Sequence, residues 1–153
     1  MDEDKLNRLP PDVKKQFLKL ALKLSEKKTK SKVHDDFMTF VKHVWPEFIE
    51  GRHHKEIAEK FNQIARGEIK RLIINMPPRH TKSEFASFLL PSWMVGRKPN
   101  LKIIQTTHTT ELAIRFGRKA KTLMDSQEYK QVFSTRLRED SQAAGKWETE
   151  QGG

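Results

Sequence analysis

The stretch LIINMPPRHTKSEFASFLL, Leu72 to Leu90, decides the fold, because a strand signal, a loop and a helix signal follow one another in it without a gap. Leu72-Ile73-Ile74 is a short apolar, largely β-branched run of the kind a buried parallel strand shows. Pro77 and Pro78 lock their own φ angles and donate no N–H, so they belong to a loop, Met76 to Lys82. A helix is expected from Ser83 to about Val95, kinked or interrupted by Pro91 and closed by Gly96.

A strand that feeds a tight loop carrying Lys-Ser, with the loop opening straight into a helix, is a layout that binds phosphate. Loop N–H groups and the helix N-terminus form an anion site, a lysine ammonium neutralises terminal phosphates, and a neighbouring hydroxyl can ligate the Mg²⁺ that bridges them. Lys82 and Ser83 sit where that mechanism needs them. The match to the glycine-rich phosphate loop is incomplete, since Met76 stands at the first glycine position and Thr81 at the second. With two prolines in the loop, the cradle has to come mainly from the amides of Arg79 to Ser83. Thr81 carries a β-branched side chain where glycine usually permits unusual dihedrals, so either the backbone there is ordinary or binding is weakened.

Outward from this stretch, the chain reads as helices upstream and a second strand downstream. Pro10-Pro11-Asp12 reads as a helix start, and Val13, Phe17, Leu20 and Leu24 recur at helical spacing through about Leu24. Eight lysines and one acid, Glu26, lie between Lys14 and Lys32, and from Ser25 onward the composition reads as a linker. Residues 1–33 are therefore expected to be a basic N-terminal helix and linker, with one core domain over 34–153. Phe37, Phe40, Val41 and Val44 mark a second helix ended by Trp45-Pro46, and His53 to Arg66 a third, capped by Gly67. Lys102 to Thr106 reads as a second strand, Thr107 to Thr110 as the cap of a helix running to about Leu123, and Glu128 to Phe133 as a short helix. From Ser134 the chain reads as loop, exposed hairpin or cut end. Strand, loop, helix, strand, helix is the order of a parallel α/β unit. The expected fold is thus α/β, an incomplete P-loop NTPase-like parallel sheet flanked by helices and preceded by a helical N-terminal region.

Composition narrows the partners. Thirty Lys and Arg against twenty Asp and Glu give +10, which favours a polyanion such as nucleic acid, or a nucleotide, over an acidic protein. The absence of cysteine excludes disulfides and thiolate metal sites. The start MDEDKLNRLPP lacks the basic and apolar regions of a secretory signal, and Phe85 to Val95, the longest apolar stretch, is too short to span a bilayer. A soluble, intracellular protein is expected, with no membrane partner.

The string IINMPPRHTKSE, Ile73 to Glu84, resembles the variant Walker A loop of the large terminase subunits of tailed phages, which typically reads PPRHGKS, with Thr81 here in place of the glycine. EGRHHKEIAEKFNQIARGEIKRLIIN before the loop and KIIQTTHTTELAIRFGRKAKTLM after it look like the same family, so the likeness runs from about Phe37 to the end. The resemblance implies ATP and Mg²⁺ as cofactors, held by Pro78, Arg79, His80, Thr81, Lys82 and Ser83. Lys82 would contact the β- and γ-phosphates, Ser83 would hold the metal, and Arg79 would be the catalytic loop arginine near the γ-phosphate. His80 has no role beyond shaping the loop. His54, with Arg52 and His53, is implied as an adenine contact, with a helix-surface role as the equal alternative.

The implied partners are double-stranded DNA, a portal protein, a small terminase subunit and further copies in a homo-oligomeric ring. The implied location is the host cell cytoplasm, with transient docking on the procapsid. Thr106 and His108 could flank the site or simply cap a helix, and Arg115, Arg118, Lys119 and Lys121, with Arg97, Lys98 and Lys102, form a second basic cluster. Neither Asp125 nor Glu139-Asp140 follows a buried apolar strand, so the acidic residues that hydrolysis requires are missing from the sequence. The resemblance therefore implies a piece of an ATPase and endonuclease that stops before its acidic strand and nuclease domain, and that exposes apolar edges prone to association. The competing readings are a noncatalytic basic DNA-binding or adaptor protein, and another P-loop motor ATPase.

Overall fold

The computed structural model describes residues 10–143 and 145–153; the acidic start, Met1 to Leu9, lies outside them. Among the described residues, seven helical segments, a π turn and one hairpin follow in order: α1 Pro11–Asp35, α2 Phe37–Val44, α3 Arg52–Arg66, α4 Lys82–Glu84, the π turn Phe85–Leu89, α5 Leu90–Arg97, α6 Thr110–Asp125, α7 Gln127–Val132, β1 Leu137–Ala143 and β2 Lys146–Thr149.

The expected parallel sheet is overturned: among the described residues the chain is mostly helical, and its one sheet is the two-stranded antiparallel β1–β2 hairpin. Leu72–Ile74 and the stretch 102–106 belong to no strand, and no backbone-to-backbone hydrogen bond joins either to another part of the described chain. Their exposure still alternates at first. Leu72 and Ile74 pack on the core while Ile73 between them is 86% exposed; Ile104 is 92% exposed. β-branched composition favours extended backbone, but a strand exists only when a second segment supplies the ladder, and none of the described residues does.

The helices follow their apolar spacing closely. Trp45 ends α2 in a non-helical conformation, as the following proline requires, and Gly67 closes α3 at φ 80°, the left-handed cap position. In contrast, α1 does not become a linker at Ser25 but continues to Asp35. Lysine and glutamate are good helix formers, and Val33 is fully buried with its carbonyl accepting a 3.1 Å bond from Trp93 Nε1. Pro91 does not break the helix either. The turn before it widens so that Leu90 N–H reaches the Phe85 carbonyl, and the proline then sits in the first turn of α5, where a missing N–H does least harm.

Phe37 organises the core. Its ring meets Phe61, Phe85 and Trp93 edge-on at centroid distances of 5.1, 5.4 and 5.5 Å, so α2, α3, the π turn and α5 converge on one side chain. The polar side of the same junction is closed by Asn62, which accepts the Phe37 N–H at 2.8 Å and donates to Asp36 at 2.8 Å. Asp36 in turn caps α2 through Thr39 N–H at 2.7 Å. Burial opposes ionisation of Asp36, but the bonds from Thr39 and Asn62 hold its carboxyl below the ordinary range.

Two substitutions test this packing. Asn62→Ala leaves the buried Phe37 N–H without its acceptor and should cost about 1–3 kcal/mol in chemical denaturation. At Gly96 an added Cβ would stand 2.7 Å from Phe133 Cγ and 2.7 Å from the Tyr129 hydroxyl, which itself is tied to the Ser92 carbonyl at 2.9 Å. Alanine gains up to about 1 kcal/mol in helix propensity, so a net loss of about 1–2 kcal/mol in Gly96→Ala would show that the steric term prevails.

Candidate functional site

The loop Met76 to Ser83 leaves the extended segment at Met76, which packs on the core, and enters helix at Lys82. Between these ends Pro77, Pro78, Arg79 and His80 are exposed. Two residues turn the chain, Arg79 at φ 65° and Thr81 at φ 61°, both in the left-handed region. The backbone at Thr81 is therefore not ordinary. A β-branched residue there is strained, at a cost on the order of 1–3 kcal/mol, and glycine would adopt the same conformation freely.

The strained turn is held from both sides. Lys82 Nζ reaches back across the loop and donates to the Met76 carbonyl at 3.3 Å, and His80 Nδ1 donates to the Pro78 carbonyl at 2.9 Å. Phe85 N–H then bonds the Thr81 carbonyl at 3.0 Å, so helical bonding starts at the end of the loop. Through the π turn the helix continues to Arg97, its near end clamped to α6 by Lys119, which bonds both Glu84 carboxylate oxygens at 2.8 Å and lies over the Phe88 ring. A lysine folded over a loop and a run of N–H groups at a helix start together make a cationic, donor-rich surface suited to an anion. Ser83 is exposed beside them.

Three histidines border the loop. His53 lies 3.8 Å from His54 and 5.7 Å from His80, ring centre to ring centre, so α3 and the loop meet through imidazoles. His54 is buried, its ring against Phe48 and Phe85, and its Nδ1 accepts the Gly51 N–H at 2.9 Å, closing the first turn of α3. Its Nε2 is buried without a partner, as is that of His53. Burial pushes the His54 pKa below its ordinary 6.5; the neighbouring His53 and His80 push the same way and Glu50 opposes them.

Other residues singled out in the sequence are placed elsewhere. Arg52, the third residue of the implied adenine contact, is exposed at the start of α3. Thr107 bonds the Thr109 carbonyl and Thr109 caps α6, so this segment is a turn and helix cap; Thr106 is exposed. His108 lines a groove of about 1210 Å³ that runs along α6 with Arg115, Arg118 and Lys119 and includes none of the loop residues. Asp125 pairs with Lys130, and Asp140 pairs with Arg138, both exposed, on the β1–β2 hairpin. Among the described residues no group of three or more His, Asp or Glu is placed to hold a metal ion. Sequence reasoning did not anticipate the Glu84–Lys119 clamp; both residues are ordinary surface charges in the sequence, and only the helix crossing brings them together. Compared with known protein families, curated proteins and solved structures, the chain finds no match.

The buried imidazole gives a prediction with a definite sign. A histidine whose folded pKa is depressed favours the unfolded chain when protonated, so its full stability is present above pH 6.5 and is lost progressively as pH falls below that value. The denaturation midpoint should therefore be lower at about pH 5.5 than at about pH 7.5, and His54→Asn, which keeps an acceptor for Gly51, should flatten that difference. Asp36, held below the carboxylate range, stays ionised across this window.

Proposed function

We propose that the chain binds the phosphates of Mg-ATP at Met76 to Ser83 and serves as the nucleotide-binding segment of a DNA-packaging ATPase of the large terminase type. The observation that carries the proposal is the loop itself, which turns through left-handed Arg79 and Thr81, lays Lys82 across its mouth and runs directly into helix. The likeness of IINMPPRHTKSE to the terminase loop supplies the particular nucleotide and motor.

The residues present fit a nucleotide phosphate. Lys82 would exchange the weak carbonyl contact at Met76 for the charge of a terminal phosphate, an interaction stronger than a neutral hydrogen bond. The amides from Arg79 to Ser83 would provide donors, Arg79 a second cation and His80 a brace for the loop through Pro78. Ser83 would give the metal one oxygen; the metal would supply charge neutralisation between phosphates. The strain at Thr81 and the two prolines argue for weak binding, because fewer donors and a costly turn leave less surplus free energy. The sequence shows no apolar strand ending in the paired acids that hydrolysis requires, so steady turnover is not expected. Among those residues no helix is long and apolar enough to cross a membrane. The second reading, a noncatalytic basic DNA-binding or adaptor protein, is favoured by the exposed lysines of α1.

Titration with a fluorescent ATP analogue in the presence of Mg²⁺ separates the two. Saturable binding should weaken at least about tenfold in Lys82→Ala, the loss expected for one charge-assisted contact of about 1.5–3 kcal/mol. Thr81→Gly should tighten binding by relieving the turn. Duplex DNA binding with no nucleotide response in any variant would refute the proposal, and steady ATP hydrolysis abolished by Lys82→Ala would refute the expected lack of turnover.

A further inference from the structure

Among the described residues, the first half of α1 carries a run of exposed apolar side chains. Val33 is the one buried residue of this helix among those described; its carbonyl accepts from Trp93 of α5, and the neighbouring His34 ring lies against Phe133. A groove against α2 and α7 begins only at Ser25. Residues 11–24, about 20 Å of helix, are all exposed except the half-buried Lys14. On this arm Val13, Phe17, Leu20 and Leu24 are 46, 37, 57 and 59% exposed. Their spacing of four, three and four residues aligns them in one row. Lysines adjoin the row at helical neighbour positions, Lys23 beside Leu20, and Lys27 and Lys28 beside Leu24.

Two features decide what could cover this arm. The cations exclude a second copy laid along it, because like charges would face each other along the seam. Duplex DNA would engage the lysines but leave the apolar row in water. The second feature is Leu22, 62% exposed, and Leu18, 44% exposed. At about 100° per residue Leu22 lies roughly half a turn from Val13, on the far side of the helix. A flat lipid surface would cover the first row and leave Leu22 outside, whereas a protein groove can close around both sides.

We propose that the α1 arm is a docking helix for an acidic partner protein that wraps it in an apolar groove rimmed by carboxylates. Phe17 and Leu20 are the central anchors, Leu18 and Leu22 contact the opposite wall, and the lysines set orientation and speed encounter.

Calcium-loaded calmodulin, whose acidic, methionine-rich groove receives basic amphipathic helices, is a suitable probe of this chemistry. Isothermal titration with the full chain should give one-to-one, calcium-dependent binding. Phe17→Ser with Leu20→Ser should weaken it by roughly tenfold or more, as loss of two buried anchors does, and Leu18→Ser with Leu22→Ser should weaken it independently. All four side chains are at least 37% exposed, so circular dichroism should show the fold retained in both variants. Failure of the probe to bind would overturn the proposal, as would binding indifferent to both double variants. Tighter association with phosphatidylserine vesicles that depends on Phe17 and Leu20 but not on Leu18 and Leu22 would assign the arm to a lipid surface instead.

Discussion

The Asp36–Asn62 contact is the constraint on which the remaining architecture rests. Asp36 is the single residue between α1 and α2, and its extended backbone makes the corner that turns a long basic helix into the core. Its carboxylate starts α2, Asn62 brings α3 to the same point, and Phe37, the next residue, enters the aromatic centre. Buried polar groups are tolerable only when every partner is supplied, and here one amide serves both the carboxylate and a backbone N–H. The direction of α1, the depth of Phe37 and the position of the loop helix through Phe85 thus follow from one small network.

The same centre positions the candidate site. Phe85 packs on Phe37, Phe48 and His54, so the start of the loop helix is fixed from the core while the loop ahead of it remains at the surface. Glu84 and Lys119 fix it from the α6 side. A turn with two left-handed non-glycine residues persists only where its surroundings impose it, and these contacts impose it from the helix side. The arrangement couples local strain to global packing.

How much of this was legible follows from what each signal measures. Apolar spacing reports a helix's buried face, so Phe37–Val44 and Arg52–Arg66 could be read within a residue, and so could the glycine that closes the latter. The loop was legible from Lys82-Ser83 and the two prolines, but its left-handed turns were not, since Arg79 and Thr81 carry no glycine to announce them. Continuation of α1 to Asp35 was hidden because a lysine-rich stretch looks like a linker until its end is anchored by Val33 and Trp93. Asn62 gave no sign either, being one polar residue on a helix whose periodicity is set by its apolar neighbours.

The parallel sheet failed for a reason that bears on the site. Composition around Ile73 and Ile104 reports a preference for extended backbone, and both segments do leave the helical state. What composition cannot report is whether a second backbone lies beside them, and hydrogen-bond pairing is a property of two segments together. In a P-loop layout the strand before the loop holds its first residue rigid. Here Met76 is held instead by packing on the core and by the Lys82 ammonium on its carbonyl. An anion drawing Lys82 away would therefore remove the Lys82 restraint on Met76, and occupancy of the loop would then be linked to order of the preceding segment through that single bond.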